Sequence, residues 1–297
     1  MQKKFIDLHM HSYYSDDGEF SPSELVKMCF EKGITIMSIS DHNSIKASEE
    51  ARREAERFGI RYINAIEMDC TYKDLNLHVL GYGIDYKKKA FEELEENILT
   101  QEREASSKKL DLTYRLGFDI EREQLDKISK YGVYTGEMFA EILLNASQYQ
   151  EAPLLLPYRT GGSRSENPYV NFYWDFYAKG RPCYVEIRYP TLEETIRMIK
   201  EAGGVAVIAH PGNNLKGKLE LFDEMVGIGL QGVEAFSSYH DIEMTDYFQK
   251  KGREYGLLIT CGSDFHGKTK PSIELGKTLC SIEQLEIKVE LEKSGLL

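Results

Sequence analysis

Apolar residues along this chain follow two rhythms. Short runs rich in Ile, Val, Leu and Tyr recur at 5–9, 34–40, 61–66, 77–82, 205–209, 231–236 and 257–261. Their length and composition suit strands covered on both faces. Between them, 23–32, 44–58, 192–202 and 242–255 repeat their apolar positions at helical spacing. Gly33, Gly59, Gly203 and Gly256 follow these segments and predict their C-terminal stops. Ser21-Pro22-Ser23-Glu24 and Thr191-Leu192-Glu193-Glu194 read as helix starts. Strand and helix in alternation predict an α/β fold with a parallel sheet and right-handed crossovers. A barrel is favoured over an open sheet, because polar residues stand at the C-terminal end of nearly every strand, where parallel barrels build their sites.

The alternation breaks between residues 91 and 179, which contain no clear strand. Residues 92–116 read as one long helix or two, 137–145 as another, and 151–168, with three prolines and a Gly-Gly pair, as a loop. This predicts a helical insertion (91–179) between two parts of one barrel domain (1–90 and 180–297). No internal repeat is evident.

Composition narrows the partners. Lys and Arg number 37 against 49 Asp and Glu, a formal charge of −12. So acidic a chain lacks the basic stripes that duplex nucleic acid demands. A small nucleotide or strand end, held by a few arginines and metal ions, stays open. The five cysteines are scattered and form no C-x-x-C pair, the pattern of reduced thiols in a cytoplasmic protein. The polar start Met1-Gln2-Lys3-Lys4 argues against an apolar leader, and no run is long enough to span a membrane.

The chemistry lies in the histidines. His9 and His11 are two apart at the end of the first strand, so an extended backbone points both rings to one side. Ser15-Asp16-Asp17-Gly18 is a turn carrying carboxylates. Asp41-His42, Glu67, His210 and Asp264-Phe265-His266 each close an apolar strand, and His78 sits inside one. Each motif alone is weak. Together, six of only seven histidines fall at or beside strand ends, with carboxylates near them. That concentration predicts a multimetal centre. Oxygen and imidazole donors without cysteine suit Mn²⁺, Fe²⁺ or Zn²⁺. So many candidates exceed the needs of one ion, so two or three are expected, sharing a bridging carboxylate.

At this point the chain resembles the PHP (polymerase and histidinol phosphatase) superfamily. The motifs are Asp7-Leu8-His9-Met10-His11-Ser12 with Ser15-Asp16, Ser40-Asp41-His42-Asn43, Glu67, His78, Ala209-His210-Pro211 and Ser263-Asp264-Phe265-His266. They come in the family's order and span the chain outside the insertion. The resemblance implies a distorted (β/α)₇ TIM-like barrel with an inserted helical subdomain and a trinuclear centre. The implied ligands are His9, His11, Asp16, His42, Glu67, His78, His210, Asp264 and His266. Family spacing chooses Asp16 over Asp17. More narrowly, residues 182–185, 191–194 and 202–207 resemble the stand-alone branch that hydrolyses nucleoside 3',5'-bisphosphates and short oligonucleotides from the 5' end. That branch carries a Gly-Arg-x-His-like motif for a substrate phosphate. Here the corresponding Tyr134-Thr135-Gly136-Glu137-Met138-Phe139-Ala140 has neither the Arg nor the His, and Arg159, Arg164 and Arg188 are the candidates to replace them.

The expected reaction is hydrolysis of a phosphate ester of a nucleotide, oligonucleotide end or other small phosphomonoester. A metal-bound hydroxide would be held by Glu67, His210 and Asp264, one ion lying mainly among His9, His11, Glu67 and Asp264, a second among Glu67, His78 and His210, a third among Asp16, His42 and His266. Asp7 and Asp41 are expected to orient ligand histidines. His240 is a candidate phosphate contact; Trp174, Tyr158, Tyr169, Tyr173 and Tyr177 are read chiefly as helical core. The competing readings are an amidohydrolase-type metal hydrolase and a histidinol-phosphate-type phosphatase.

Overall fold

The computed structural model describes residues 5–215, 217–280 and 284–297; the polar residues 1–4 of the sequence argument lie outside them. In chain order the body runs β1 (Ile6–Asp7), α1 (Pro22–Lys32), β2 (Ile36–Met37), α2 (Ser48–Phe58), β3 (Arg61–Tyr62), β4 (Ala65–Tyr72) and β5 (Leu75–Tyr82). Four helices follow, α3 (Lys89–Arg115), α4 (Arg122–Ile128), α5 (Gly136–Asn145) and α6 (Pro168–Phe176). The alternation then resumes with α7 (Leu192–Glu201), β6 (Val205–Ile208), α8 (Pro211–Asn214), α9 (Leu221–Ile228), β7 (Gly232–Ser237), α10 (Ile242–Tyr255), β8 (Leu258–Gly262) and α11 (Gln284–Lys293).

Local chemistry sets the helix ends. Ser21 and Glu24 exchange backbone hydrogen bonds in a capping box at the start of α1, and Thr191 and Glu194 do the same for α7. Each box satisfies two amide hydrogens that a helix start leaves without partners. Gly33, Gly59 and Gly256 take left-handed φ of 76°, 68° and 63° just past α1, α2 and α10, a conformation costly for residues with a Cβ.

The eight strands form an α/β structure of two sheets, β1-β2-β3 and β4-β5-β6-β7-β8. Neighbours are parallel except around β5, which runs antiparallel to both β4 and β6. This corrects the all-parallel expectation. Only Lys73 and Asp74 separate β4 from β5, whereas a parallel pair needs a crossover of about a dozen residues or more. Lys73 adopts φ +53° to make the tight turn. The segment expected as one strand over 61–66 instead splits into β3 and β4.

Backbone hydrogen bonds lace the sheets together on both sides. Leu8 N donates to Cys261 O (3.0 Å), Asp264 N to His9 O (2.7 Å) and His11 N to Phe265 O (2.9 Å). At the other side Asn43 N donates to Glu67 O (2.7 Å) and Glu67 N to Asp41 O (3.1 Å). One apolar core surrounds β4–β8 and a second packs α1 and α2 on β2. The helices from α3 to α6 carry their own core of Leu110, Phe118, Leu125, Phe139, Leu143, Leu155, Phe172 and Tyr177. Among the described residues, no helix is long and apolar enough to cross a membrane.

Candidate metal centre

Strand ends deliver most of the polar side chains. His9 and His11 follow β1, His42 follows β2, His210 follows β6, and Asp264 and His266 follow β8. Glu67 and Asp69 lie inside β4, two apart and so on one face. His78 on β5 stands directly across from Asp69 in the antiparallel register. His42 bridges to Glu67 in parallel fashion, which brings the end of β2 against the face of β4. Asn43, His210 and Asp264 hold φ of +53°, +24° and +58°. Each such conformation costs about 1–3 kcal/mol in a residue with a Cβ and concentrates at functional sites.

The donor atoms fall into three groups, each within 4.8 Å, the last two sharing His42: His9, Glu67, His210 and Asp264; His11, Asp17, His42 and His266; and His42, Asp69 and His78. His9 Nε2 and His11 Nε2 stand 3.2 Å apart. Glu67 Oε2 is 3.2 and 3.1 Å from them, and Asp264 Oδ1 3.2 and 3.0 Å. Such separations suit donor atoms gathered around divalent ions at roughly 2.0–2.2 Å. Glu67 Oε1 meets His78 Nδ1 at 3.0 Å and His210 Nε2 at 3.2 Å. Glu67 Oε2, Asp264 Oδ1, Asp17 Oδ1, His42 Nδ1, His210 Nδ1 and His266 Nε2 are buried without a hydrogen-bond partner. Buried polar groups are normally satisfied, so this concentration of orphaned donors fits a site that holds divalent metal ions.

The charges favour cation binding. Burial works against ionising Glu67, yet His9, His78 and His42 hold it well below the usual carboxylate range. Burial, reinforced by His266 and His42, pulls His11 down to about 4, which leaves a neutral nitrogen.

Supporting contacts differ from those expected. Asp41 accepts from Ser12 N, Ser12 Oγ and Ser15 Oγ, and Ser15 Oγ sits 3.0 Å from His11 Nδ1, so Asp41 reaches His11 through a serine. Asp7 touches no imidazole; it accepts from the backbone of His9, Ser263 and Gly276. The direct support is Glu234, which the sequence reading missed. Its Oε1 lies 3.0 Å from His9 Nδ1 and its Oε2 accepts from His210 N at 2.8 Å. Glu234 sits beside the register shift of β7, a device that re-aims side chains. Nothing in Val233-Glu234-Ala235 marks it, because a buried carboxylate inside an apolar strand has no sequence signature. Glu234→Ala is expected to weaken metal retention about 10- to 100-fold, read by dialysis against competing chelator.

The structure does not bring one expected ligand into the donor groups. Asp17, not Asp16, enters the donor set, with Oδ2 3.1 Å from His266 Nε2. The turn is clamped from several sides. Ser15 Oγ is held by Asp41, Lys130 Nζ donates to Ser15 O and Gly18 O, and Thr269 Oγ1 donates to Asp17 O. A Cβ on Gly18 would lie 2.0 Å from Ser12 O, so the chain there can pass only as glycine. These contacts turn the residue next to Gly18 inward and leave Asp16 in the cavity wall, where burial and Asp17 raise its carboxyl well above the usual range. Asp69 is a further donor that the sequence reading did not name.

Asp17, His42, Asp69 and His78 of the centre line a cavity of about 670 Å³ together with residues from β5, α3, α5 and α6, among them Tyr173 and Trp174. The expected substrate arginines lie apart from the cavity. Arg159 donates to the carbonyls of Leu144 and Tyr149, Arg164 pairs with Asp175, and the side chain of Arg188 is exposed. None of the three lines the cavity. Each serves or borders a surface fixed by local packing, which spacing along the chain cannot foretell. His240 is buried, with Nδ1 at Ala235 O and Nε2 accepting from Gly212 N, and stacks on Phe248. Both its nitrogens are taken, so it is a structural residue. Tyr158 and Tyr177 are buried in the helical core, while Trp174 is 42% exposed.

Comparison with known proteins points the same way. A phosphoribosyl 1,2-cyclic phosphate 1,2-diphosphodiesterase from Eggerthella lenta is 25% identical over 264 residues, 88% of this chain and 94% of that one. A 3',5'-nucleoside bisphosphate phosphatase from Chromobacterium violaceum is 27% identical over 282 residues, covering 92% and 91%. A solved structure from Chromobacterium violaceum, described as an amidohydrolase with bound sulfate and no metal, superimposes with a TM-score of 0.76 at 24% identity over 96% of both chains, a likeness of fold. The profile of the PHP domain matches residues 7–161, more than half of the sequence. The chain belongs to the PHP domain family.

Proposed function

We propose that this protein is a metal-dependent phosphoesterase that hydrolyses a phosphate ester of a nucleotide, oligonucleotide end or other small phosphomonoester. The observation that carries this reading is the set of three neighbouring donor groups, with their orphaned buried atoms, beside a cavity large enough for a small phosphorylated molecule. The names of the relatives, a cyclic-phosphate diphosphodiesterase and a bisphosphate phosphatase, agree with it.

The ions are two or three, of Mn, Fe or Zn, since every donor is an imidazole or carboxylate and all five cysteines are buried free thiols outside the donor groups. His9, Glu67, His210 and Asp264 would hold one, His11, Asp17, His42 and His266 another, and His42, Asp69 and His78 a third. Such ions lower the pKa of water and neutralise charge on phosphoryl oxygens. The chain itself supplies orientation. Glu67 faces five imidazoles through its two oxygens, Glu234 fixes the His9 ring, and the cavity walls exclude bulk water around the ester. No serine or cysteine nucleophile is required.

The architecture belongs to the same proposal. The hydrogen bonds that lace β1 to β8 and the end of β2 to β4 support the reading of a distorted (β/α)₇ TIM-like barrel, with 1–90 and 180–297 as its two parts and 91–179 as the inserted helical subdomain. Five unpaired thiols suit the cytoplasm.

The test is direct. Protein reconstituted with Mn²⁺ is screened against phosphomonoesters, nucleoside bisphosphates and short RNA, and phosphate release is measured. Release is expected from at least one phosphomonoester. Cleavage of an amide or lactone with no phosphate release from any member of the panel would replace this reading with an amidohydrolase.

A further inference from the structure

We propose that Lys270 is the cation that binds the substrate's phosphoryl group in this chain. The inference rests on the phosphoesterase reading and adds a residue to it. A phosphate ester dianion entering the cavity needs a positive group beside the metal donors; of the three arginines suggested by the sequence, Arg159 and Arg164 are held by other partners, Arg188 is exposed, and none lines the cavity. Of the lysines and arginines in ion pairs among the described residues, Lys270 alone contacts a donor of the centre: its Nζ lies 2.7 Å from Asp264 Oδ2. Lys270 is only 9% exposed, yet it lines the cavity together with Asp17 and Glu137.

The two oxygens of Asp264 have different surroundings. Oδ1 faces His9 Nε2 and His11 Nε2 and has no hydrogen-bond partner. Oδ2 accepts from Lys270 Nζ and from Tyr239 Oη at 2.5 Å. Tyr239 also places its ring under the ammonium, 5.6 Å from Nζ to the centroid. The ammonium is thereby fixed in place by one carboxylate oxygen and one ring. It carries three N–H donors, and Asp264 uses one. Lys270 lines the cavity, so the others are proposed to meet a phosphoryl oxygen there, where burial strengthens a charged hydrogen bond.

Lys270 could instead serve only to position Asp264, and the experiment separates the two. Inorganic phosphate binding to the Mn²⁺-loaded protein is measured by calorimetry, alongside metal content, for wild type, Lys270→Met, Lys270→Arg and Tyr239→Phe. Lys270→Met is expected to weaken phosphate binding about 10- to 100-fold with the wild-type metal content retained. Lys270→Arg should recover a large part of the affinity. Tyr239→Phe removes the other donor to the same carboxylate oxygen and should change phosphate affinity only a few-fold. Wild-type phosphate affinity in Lys270→Met would overturn the assignment. So would loss of metal together with phosphate in that variant, or an equal loss in Tyr239→Phe, since either would make Lys270 a support for Asp264. Failure of the phosphoesterase reading looks different: wild-type protein would release no phosphate from any ester.

Discussion

Glu67→Gln is expected to lower turnover at least about 1,000-fold, equivalent to about 4 kcal/mol of lost transition-state stabilisation, with the protein still folded. Glu67 is fully buried at the third position of β4. Its Oε1 contacts His78 and His210, and its Oε2 contacts His9, His11 and His42 at 3.1–3.3 Å. No other carboxylate among the described residues contacts as many candidate ligands, so it is the group placed to bridge ions. Glutamine keeps the shape and the packing. It removes the negative charge and turns an NH₂ toward imidazole nitrogens that must present lone pairs. Steady-state kinetics with Mn²⁺, paired with metal analysis, reads both consequences. A variant within tenfold of wild type and fully loaded with metal would remove Glu67 from the bridge.

The second large effect separates two adjacent carboxylates. Asp17→Asn is expected to cost about 100-fold or more in turnover and to lose bound metal, because a ligand for the His11, His42 and His266 group becomes neutral. Asp16→Asn is expected to change turnover less than about tenfold, since that side chain belongs to the cavity wall. Metal counting on the two variants decides the matter. If Asp16→Asn alone loses metal, the turn from Ser15 to Gly18 faces the other way in the loaded protein.

Much of the site was legible because its residues sit where one-dimensional signals are strong. His9, His42, His210 and Asp264 each close an apolar run, and a strand that ends in a polar residue announces a loop at the edge of the sheet, where sites are built. The capping boxes at Ser21 and Thr191 were legible for the same reason: their partners lie three residues apart. Asp69, Glu234, Lys270 and Tyr239 were not. Each acts across a strand, a bulge or a loop on a residue distant in sequence, and each looks like ordinary composition in its own neighbourhood.

By itself, the sequence determined the α/β character, the order of most elements, the helical stretch in the middle and the histidine-rich strand ends, because these depend on local periodicity, capping and turn chemistry. Tertiary structure alone decided the rest. The Lys73-Asp74 turn reversed β5 and set His78 opposite Asp69. Clamps from Asp41, Lys130 and Thr269 turned Asp17 inward in place of Asp16. Local packing drew Arg159, Arg164 and His240 away from the cavity, leaving Lys270 as the cation against Asp264. Those outcomes depend on which distant atoms meet within about 3 Å, where hydrogen bonds and ion pairs take hold, and that is a property of the folded chain.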